Sequence, residues 1–209
     1  MKFLTWDSDF FNTPSYLFED EKDLENLPDG FITAKIDINN QRFINELLKK
    51  GFYFVNIEVV LEYIGKKMSY SNPNIFEISK NRGLDYEKLG SVFKFTRFHI
   101  DEYTSNKADL LWIEYLKNFK PNKQNRMYVI KDNDKIEGVF LVKENYNLFF
   151  ASITKQNVGL GSDLISFLKS KHEYITTETQ LNNPAINFYI KNGFKIKKSR
   201  IVMHRWRGR

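Results

Sequence analysis

Residues 156–162 read Gln-Asn-Val-Gly-Leu-Gly-Ser, between an aromatic-aliphatic run, Leu148-Phe149-Phe150-Ala151-Ser152-Ile153, and a run with helical spacing, Leu160–Lys171. A strand that turns through glycines straight into a helix aims several free backbone N–H groups at one point. The positive end of the helix dipole adds to that field, so the turn suits a pyrophosphate. A short Gly-x-Gly also marks ordinary turns, and its meaning depends on its company. The company is Asn182-Asn183-Pro184-Ala185-Ile186-Asn187-Phe188-Tyr189-Ile190-Lys191-Asn192-Gly193-Phe194. There a proline fits the first turn of a short helix, where its missing N–H costs nothing.

The elements that must hold these residues follow from periodicity and punctuation. The spacing of Leu111, Trp112, Tyr115, Leu116 and Phe119 predicts an amphipathic helix over 108–119, ended by Lys120-Pro121-Asn122. Met127-Tyr128-Val129-Ile130 and 136–142 read as a hairpin turning at Asp132-Asn133-Asp134. After Asn145-Tyr146-Asn147 comes a strand at 148–153. The glycine turn and its helix follow, then a strand at 174–179, a short helix at 184–191 and a last strand near 195–203. The first half echoes this ending. Ile32-Thr33-Ala34-Lys35-Ile36-Asp37-Ile38-Asn39-Asn40 resembles 175–183, and each leads through a helical pattern to Gly-Phe (Gly51-Phe52, Gly193-Phe194) and a strand. This suggests an internal duplication; strand–helix–Gly-Phe–strand is also a common connection with glycine as helix stop. The first copy lacks the glycine turn and has Glu46 or Leu47 where the second has Tyr189. The polar segment 66–90 reads as a linker or flap, dividing an N-terminal lobe (1–90), on the acceptor side, from a C-terminal domain (91–209).

The glycine turn and the 182–194 stretch together make the chain resemble an acetyl-coenzyme A-dependent N-acyltransferase of the GNAT superfamily. The resemblance implies an α/β (α+β) fold with a central mixed, mostly antiparallel sheet flanked by helices, the N-terminal lobe being a degenerate half-repeat. Gln156, Gly159 and Gly161 match the superfamily's phosphate motif. Backbone groups of Asn157, Val158, Gly159, Leu160, Gly161 and Ser162 would hold the pyrophosphate. The strand edge at Ala151, Ser152 and Ile153 would pair with the pantetheine arm, admitted where neighbouring strands splay. Tyr189 matches the superfamily spacing to Asn182, Ala185 and Gly193-Phe194 and would protonate the departing thiolate. A phenol with pKa near 10 keeps its proton at neutral pH. Asn182 would bond the pantetheine, or serve as a helix N-cap. The base that deprotonates the amine stays open among Glu137, Glu178 and His99; each carboxylate on its own also reads as a solvated strand-face group.

The whole chain is further similar to TDP-fucosamine N-acetyltransferases. The stretches that carry this are Trp6-Asp7-Ser8-Asp9-Phe10-Phe11, Ala34-Lys35-Ile36 before Gly51-Phe52, Lys94-Phe95-Thr96-Arg97-Phe98 before Trp112-Ile113-Glu114, and Asn182…Tyr189-Ile190. The implied acceptor is the amino group of a nucleotide-linked amino-deoxy sugar of the dTDP-4-amino-4,6-dideoxyhexose type. Arg97 would meet its diphosphate, His99 would face the same substrate, and Trp6, Phe10 and Phe11 would line its base or sugar. Where that group has a small residue after its last glycine, this chain has Phe194.

Bulk properties bound the rest. The 209 residues contain no cysteine, which excludes disulfides and thiolate zinc sites, and three scattered histidines make no metal motif. Neither an apolar stretch of membrane-spanning length nor a secretory leader is visible, so a cytoplasmic location is expected. The net charge of +6 is concentrated: residues 191–209 hold eight basic side chains and no acidic one, leaving −2 for the first 190. Such an end reads as a solvated tail or a phosphate neighbour before it reads as a nucleic-acid surface. The expected partners are small molecules, with no nucleic acid, and a homodimer is the expected oligomer if the chain associates. Competing readings are a GNAT enzyme acting on a protein N-terminus, polyamine or antibiotic, and a non-catalytic acyl-CoA-binding protein.

Overall fold

The computed structural model describes residues 1–156 and 158–207, with nothing stated of the Asn145 side chain. The described residues form ten strands and seven α-helices. Two compact units result: Met1–Val59 joined by the chain from Lys198 on, and Val60–Lys197. The segment 60–90 thus sits in the second unit, although the sequence reading places it with the N-terminal lobe.

The first unit is built on β1 (Lys2–Phe3), α1 (Thr5–Phe11), β2 (Ser15–Phe18), β3 (Gly30–Asp37), α2 (Gln41–Lys49), the start of β4 (Tyr53–Ile64) and the end of β10 (Lys195–Arg207). Its strand order is β1-β2-β3-β10-β4, with β2 and β3 parallel and β3 antiparallel to β10. One face is apolar: Ile32, Ala34, Ile36 and Met203 pack on Phe43, Ile44 and Leu47 of α2. The other carries charge. Buried Glu58 accepts from Lys35 at 2.7 Å and from Arg200 Nε at 3.0 Å.

The second unit continues from β4 with β5 (Ile75–Ile78), α3 (Tyr86–Gly90), α4 (Arg97–Ile100), α5 (Ala108–Asn118), β6 (Asn125–Asp132), β7 (Lys135–Lys143), β8 (Asn147–Ile153), α6 (Leu160–Lys171), β9 (Tyr174–Gln180) and α7 (Ala185–Lys191). Its strands run β4-β9-β8-β7-β6-β5. The meander β5–β8 is antiparallel, and β8 pairs with β9 in parallel. The β6–β7 hairpin turns through Asn133 and Asp134, both at positive φ, as a two-residue connection with the twist of its strands requires. Helices α3 and α5 cover one face over Met127, Val129, Val139, Leu141 and Phe150. On the other face Phe167 of α6 meets Tyr128, ring centroids 5.2 Å apart.

Mixed sheets flanked by helices agree with the expected fold class. Two expectations need correction. The segment 66–90 is not a bare linker: β5 extends the sheet beside β6, and Leu89 of α3 is fully buried. Its short apolar clusters bury against the meander, which their polar neighbours hide in the sequence. The basic end is a strand, exposed at 195–198 as a solvated face, but it is not frayed beyond 203, since β10 runs to Arg207. Lys197 pairs with Glu62 at 2.9 Å, and buried Arg205 donates to the Pro28 carbonyl at 3.1 Å. No helix among the described residues is long and apolar enough to cross a membrane.

The echo in the sequence has a geometric counterpart. Gly51 and Gly193 follow α2 and α7 at φ +84° and +79°. After each, the phenylalanine N–H bonds the carbonyl five residues back: Phe52 to Leu47, Phe194 to Tyr189, both at 3.1 Å. Leu47, fully buried among apolar side chains, is therefore the counterpart of Tyr189. A Cβ meets nothing within 4 Å at Gly51, and only contacts of 3.7 Å or more at Gly193, so the backbone alone resists substitution. Gly51→Ala and Gly193→Ala should each cost about 1 kcal/mol, equal within error in urea denaturation. A neutral result at either position would contradict the shared left-handed cap.

Candidate active site

The site begins with a register fault. Strand β8 pairs with β7 without interruption until a shift between Leu141 and Val142 leaves Phe149 as an extra residue. Bulges of this kind bend a strand and increase its twist. The rings of Phe149 and Phe150 both turn toward the α3–α5 layer, Phe149 against Tyr115 (5.9 Å) and Phe150 against Phe93 (4.5 Å). On its other edge β8 pairs with β9 only at Asn147–Thr176 and Leu148–Thr177. Beyond that point the strands separate, and residues 149–153 of β8 face β9 without a ladder. The vertex is pinned by Thr177 Oγ1, which donates to the Leu148 carbonyl at 2.7 Å.

Ala151, Ser152 and Ile153 lie on this open edge. The hydroxyl of fully buried Ser152 donates to the Leu89 carbonyl at 2.6 Å, fixing β8 to α3. The chain then enters α6 through Gly159, at φ +87°, a conformation β-branched and bulky residues avoid. Asp163 N–H bonds the Gly159 carbonyl at 3.0 Å, while among the described residues no side chain caps the N–H groups of Leu160, Gly161 and Ser162. Val158, Gly159 and Ser162 are exposed. Gln156 is also exposed; Asn157 lies outside the described residues. An uncapped, exposed start of a twelve-residue helix fits a pyrophosphate. Gly161 serves packing: a Cβ there would lie 3.1 Å from the ring of Phe188.

Tyr189 follows Phe188 on α7 and is buried, its ring edge-on to those of Phe188 and Phe194 at 5.3 Å. Burial pushes its phenol up to about 12, with hydrogen bonding to Thr177 opposing the shift. The hydroxyl thus stands at the vertex where β8 leaves β9. Ala185 opens α7, half-buried. The capping role belongs to Asn183, whose Oδ1 accepts from Ala185 N–H at 3.0 Å and whose Nδ2 donates to Thr179 at 2.8 Å. Asn182 is exposed beside it, its amide not used as the N-cap considered from sequence.

The candidate bases separate. Glu178, the first β9 residue past the vertex, is exposed and on the strand face opposite Thr177. Glu137 on β7 is buried and receives hydrogen bonds from Lys88 Nζ (2.7 Å) and Thr154, with Lys155 at 3.6 Å. The Lys88 ammonium and the Thr154 hydroxyl hold its carboxyl down to about 2, which leaves little basicity. His99 is bound at both nitrogens, to Thr96 Oγ1 (2.8 Å) and Asp109 (3.0 Å). Lys94 closes this cluster on Asp109 at 2.8 Å, and Trp112 donates to Thr96 at 3.4 Å. Arg97 lies over the Phe98 ring at 4.2 Å, its buried Nε without a hydrogen-bond partner among the described residues.

Trp6, Phe10 and Phe11 belong to the first unit. Trp6 and Phe10 stack at 5.4 Å, half-buried, whereas Phe11 is core against Phe31. On β4 the buried Asn56 amide has neither its oxygen nor its nitrogen hydrogen-bonded among the described residues. The bulge, Thr177, Asn183 and the Lys88–Glu137 pair escape the sequence reading; of these only Asn183, two before Ala185, carries a local signal.

The chain has the fold of solved GNAT acetyltransferases. No protein-family model and no curated sequence matches it. Among solved structures, a GCN5-related N-acetyltransferase from Sphaerobacter thermophilus is similar with a TM-score of 0.56 at 12% identity, over 84% of this chain and 59% of that one. One from Kribbella flavida gives 0.56 at 9% identity, over 85% and 69%. A functionally unknown conserved protein from Staphylococcus epidermidis gives 0.59 at 12%, over 85% and 73%. At these identities the likeness is one of fold.

Because the Glu137 carboxyl is depressed from 4.5 to about 2, its stabilising contribution is complete above the ordinary carboxylate range and is lost as pH falls through the folded value. Glu137→Gln should therefore flatten the acid limb of the stability curve between those two values, as measured by urea denaturation across pH. An unaltered acid limb would show that the pair with Lys88 contributes nothing.

Proposed function

We propose that this protein is an N-acetyltransferase that acetylates the amino group of a nucleotide-linked amino-deoxy sugar, of the dTDP-4-amino-4,6-dideoxyhexose type. The observation that carries the acyl-transfer reading is the notch between β8 and β9, with uncapped N–H groups of α6 beside it and Tyr189 at its vertex. The sugar-nucleotide acceptor rests on the sequence resemblance, with Arg97 as its candidate contact in the second unit.

Acetyl-coenzyme A, when bound, supplies the acyl thioester. The N–H groups of residues 160–162 hold its pyrophosphate, and the unpaired edge of β8 orients the pantetheine as an added strand would. Asn182, free of the capping role, bonds the same arm. Tyr189 keeps its proton through the neutral range and donates it as a hydrogen bond to the sulfur as negative charge develops there. A phenol at about 12 is a weaker acid than a thiol near 8.5, so its contribution falls at the low end for general acids. The amine approaches from the opposite face of β9, where Glu178, directly or through water, takes its proton; Glu137 is held for structure.

Purified protein given acetyl-CoA and dTDP-4-amino sugars should acetylate them far faster than simple amines, followed by release of free thiol. Equal rates on simple amines would remove the acceptor and leave acyl transfer standing. Tyr189→Phe should lower kcat about 10²-fold with little change in KM; full turnover would remove the acid role.

A further inference from the structure

The second unit contains a cavity of about 320 Å³, at the low end for small-molecule sites, lined by Lys123, Arg126, Lys143, Glu144, Tyr146 and His172 among others. His172 is the C-cap of α6, whose twelve residues put it about 18 Å from the glycine turn at the other end. Three cations face one carboxylate here. Arg126 donates to the Tyr128 hydroxyl at 3.4 Å and pairs distantly with Glu77 at 3.7 Å, and Lys143 is stacked over Phe149 at 4.3 Å. His172 is more than nine-tenths buried, and its Nε2 has no hydrogen-bond partner among the described residues. Tyr146 lies against this imidazole, ring centroids 4.3 Å apart, on a backbone at φ +62°, rare for an aromatic residue.

A buried, unsatisfied imidazole normally costs free energy, and so does a surplus of cations around a concavity. One kind of ligand relieves both. We propose that this cavity is a second anion site, which holds a small oxyanion of the phosphate class away from the α6 N-terminus. Lys123, Arg126 and Lys143 supply the charge, and Arg126 can bond two oxygens at once. In its Nε2–H tautomer His172 donates to a third. Burial, then the nearby Arg126, Lys67 and Lys171, push His172 down to about 4. The exposed part of the Tyr146 ring offers a flat surface beside the anion, so the phosphate could be free or carried by a nucleotide.

The test follows the His172 ring signals in proton–carbon NMR spectra of the full chain, assigned by their loss in His172→Gln, during titration with inorganic phosphate and, separately, adenosine monophosphate. Both should move the His172 signals saturably; tighter binding of the nucleotide would assign a nucleotide, and equal binding free phosphate. The exposed double variant Lys123→Ala/Arg126→Ala should weaken the response at least about tenfold while its thermal unfolding stays unchanged. Signals that stay fixed with both probes, or shift equally in the double variant, overturn the proposal. The readout is specific to this end of α6 and does not depend on acyl transfer.

Discussion

The site depends on the point where β8 stops pairing with β9. A parallel ladder that continued past Leu148 and Thr177 would satisfy the edge of β8 internally and leave nothing for an extended ligand to pair with. The bulge at Phe149 is the local cause. It adds one residue on the β7 side, turns two adjacent aromatic rings into the same core layer and rotates the strand away from β9. The aromatic cluster around Phe93, Trp112 and Tyr115 is therefore more than filler: it holds the bent strand against relaxation to a regular one.

What surrounds the notch can be ranked by how each group is held. Ser152 and Thr177 have their hydroxyls committed to backbone carbonyls, at 2.6 and 2.7 Å, and so fix geometry. Glu137 is committed through charge. Tyr189 is fixed by packing, with its hydroxyl beside Thr177. Glu178 and Asn182 are exposed. Buried, committed groups thus lie at the back of the notch and exposed ones at its mouth, the order that the proposed acyl transfer calls for.

Much of the second half was legible because its elements are punctuated. Helix α6 spans Leu160–Lys171 as the spacing predicts, and Pro184 and Gly193 bracket α7. The Gly-Phe echo was legible too, and the equivalent bonds of Phe52 and Phe194 give it a physical meaning. The bulge was not, since an extra residue in one strand shows only against its partner. Nor were β5 and α3, whose few apolar residues are diluted by polar ones. Asn182 and Asn183 are chemically identical in sequence; only the fold shows which one caps α7. The basic end read as a tail because its partners, Glu58 and Glu62, are far away in the chain.

The contact between Gly161 and Phe188 makes two distant positions one unit of volume. The first turn of α6 and the helix that bears Tyr189 approach as closely as a missing side chain allows. A methyl group gained at 161 makes the Phe188 ring give by a few tenths of an ångström, and where the ring cannot, α7 shifts and carries the phenol with it. Along a lineage these two sites are thus free to change together and bound to stay fixed apart. A record of paired exchange between them would mark the ancestors in which the phenol still mattered.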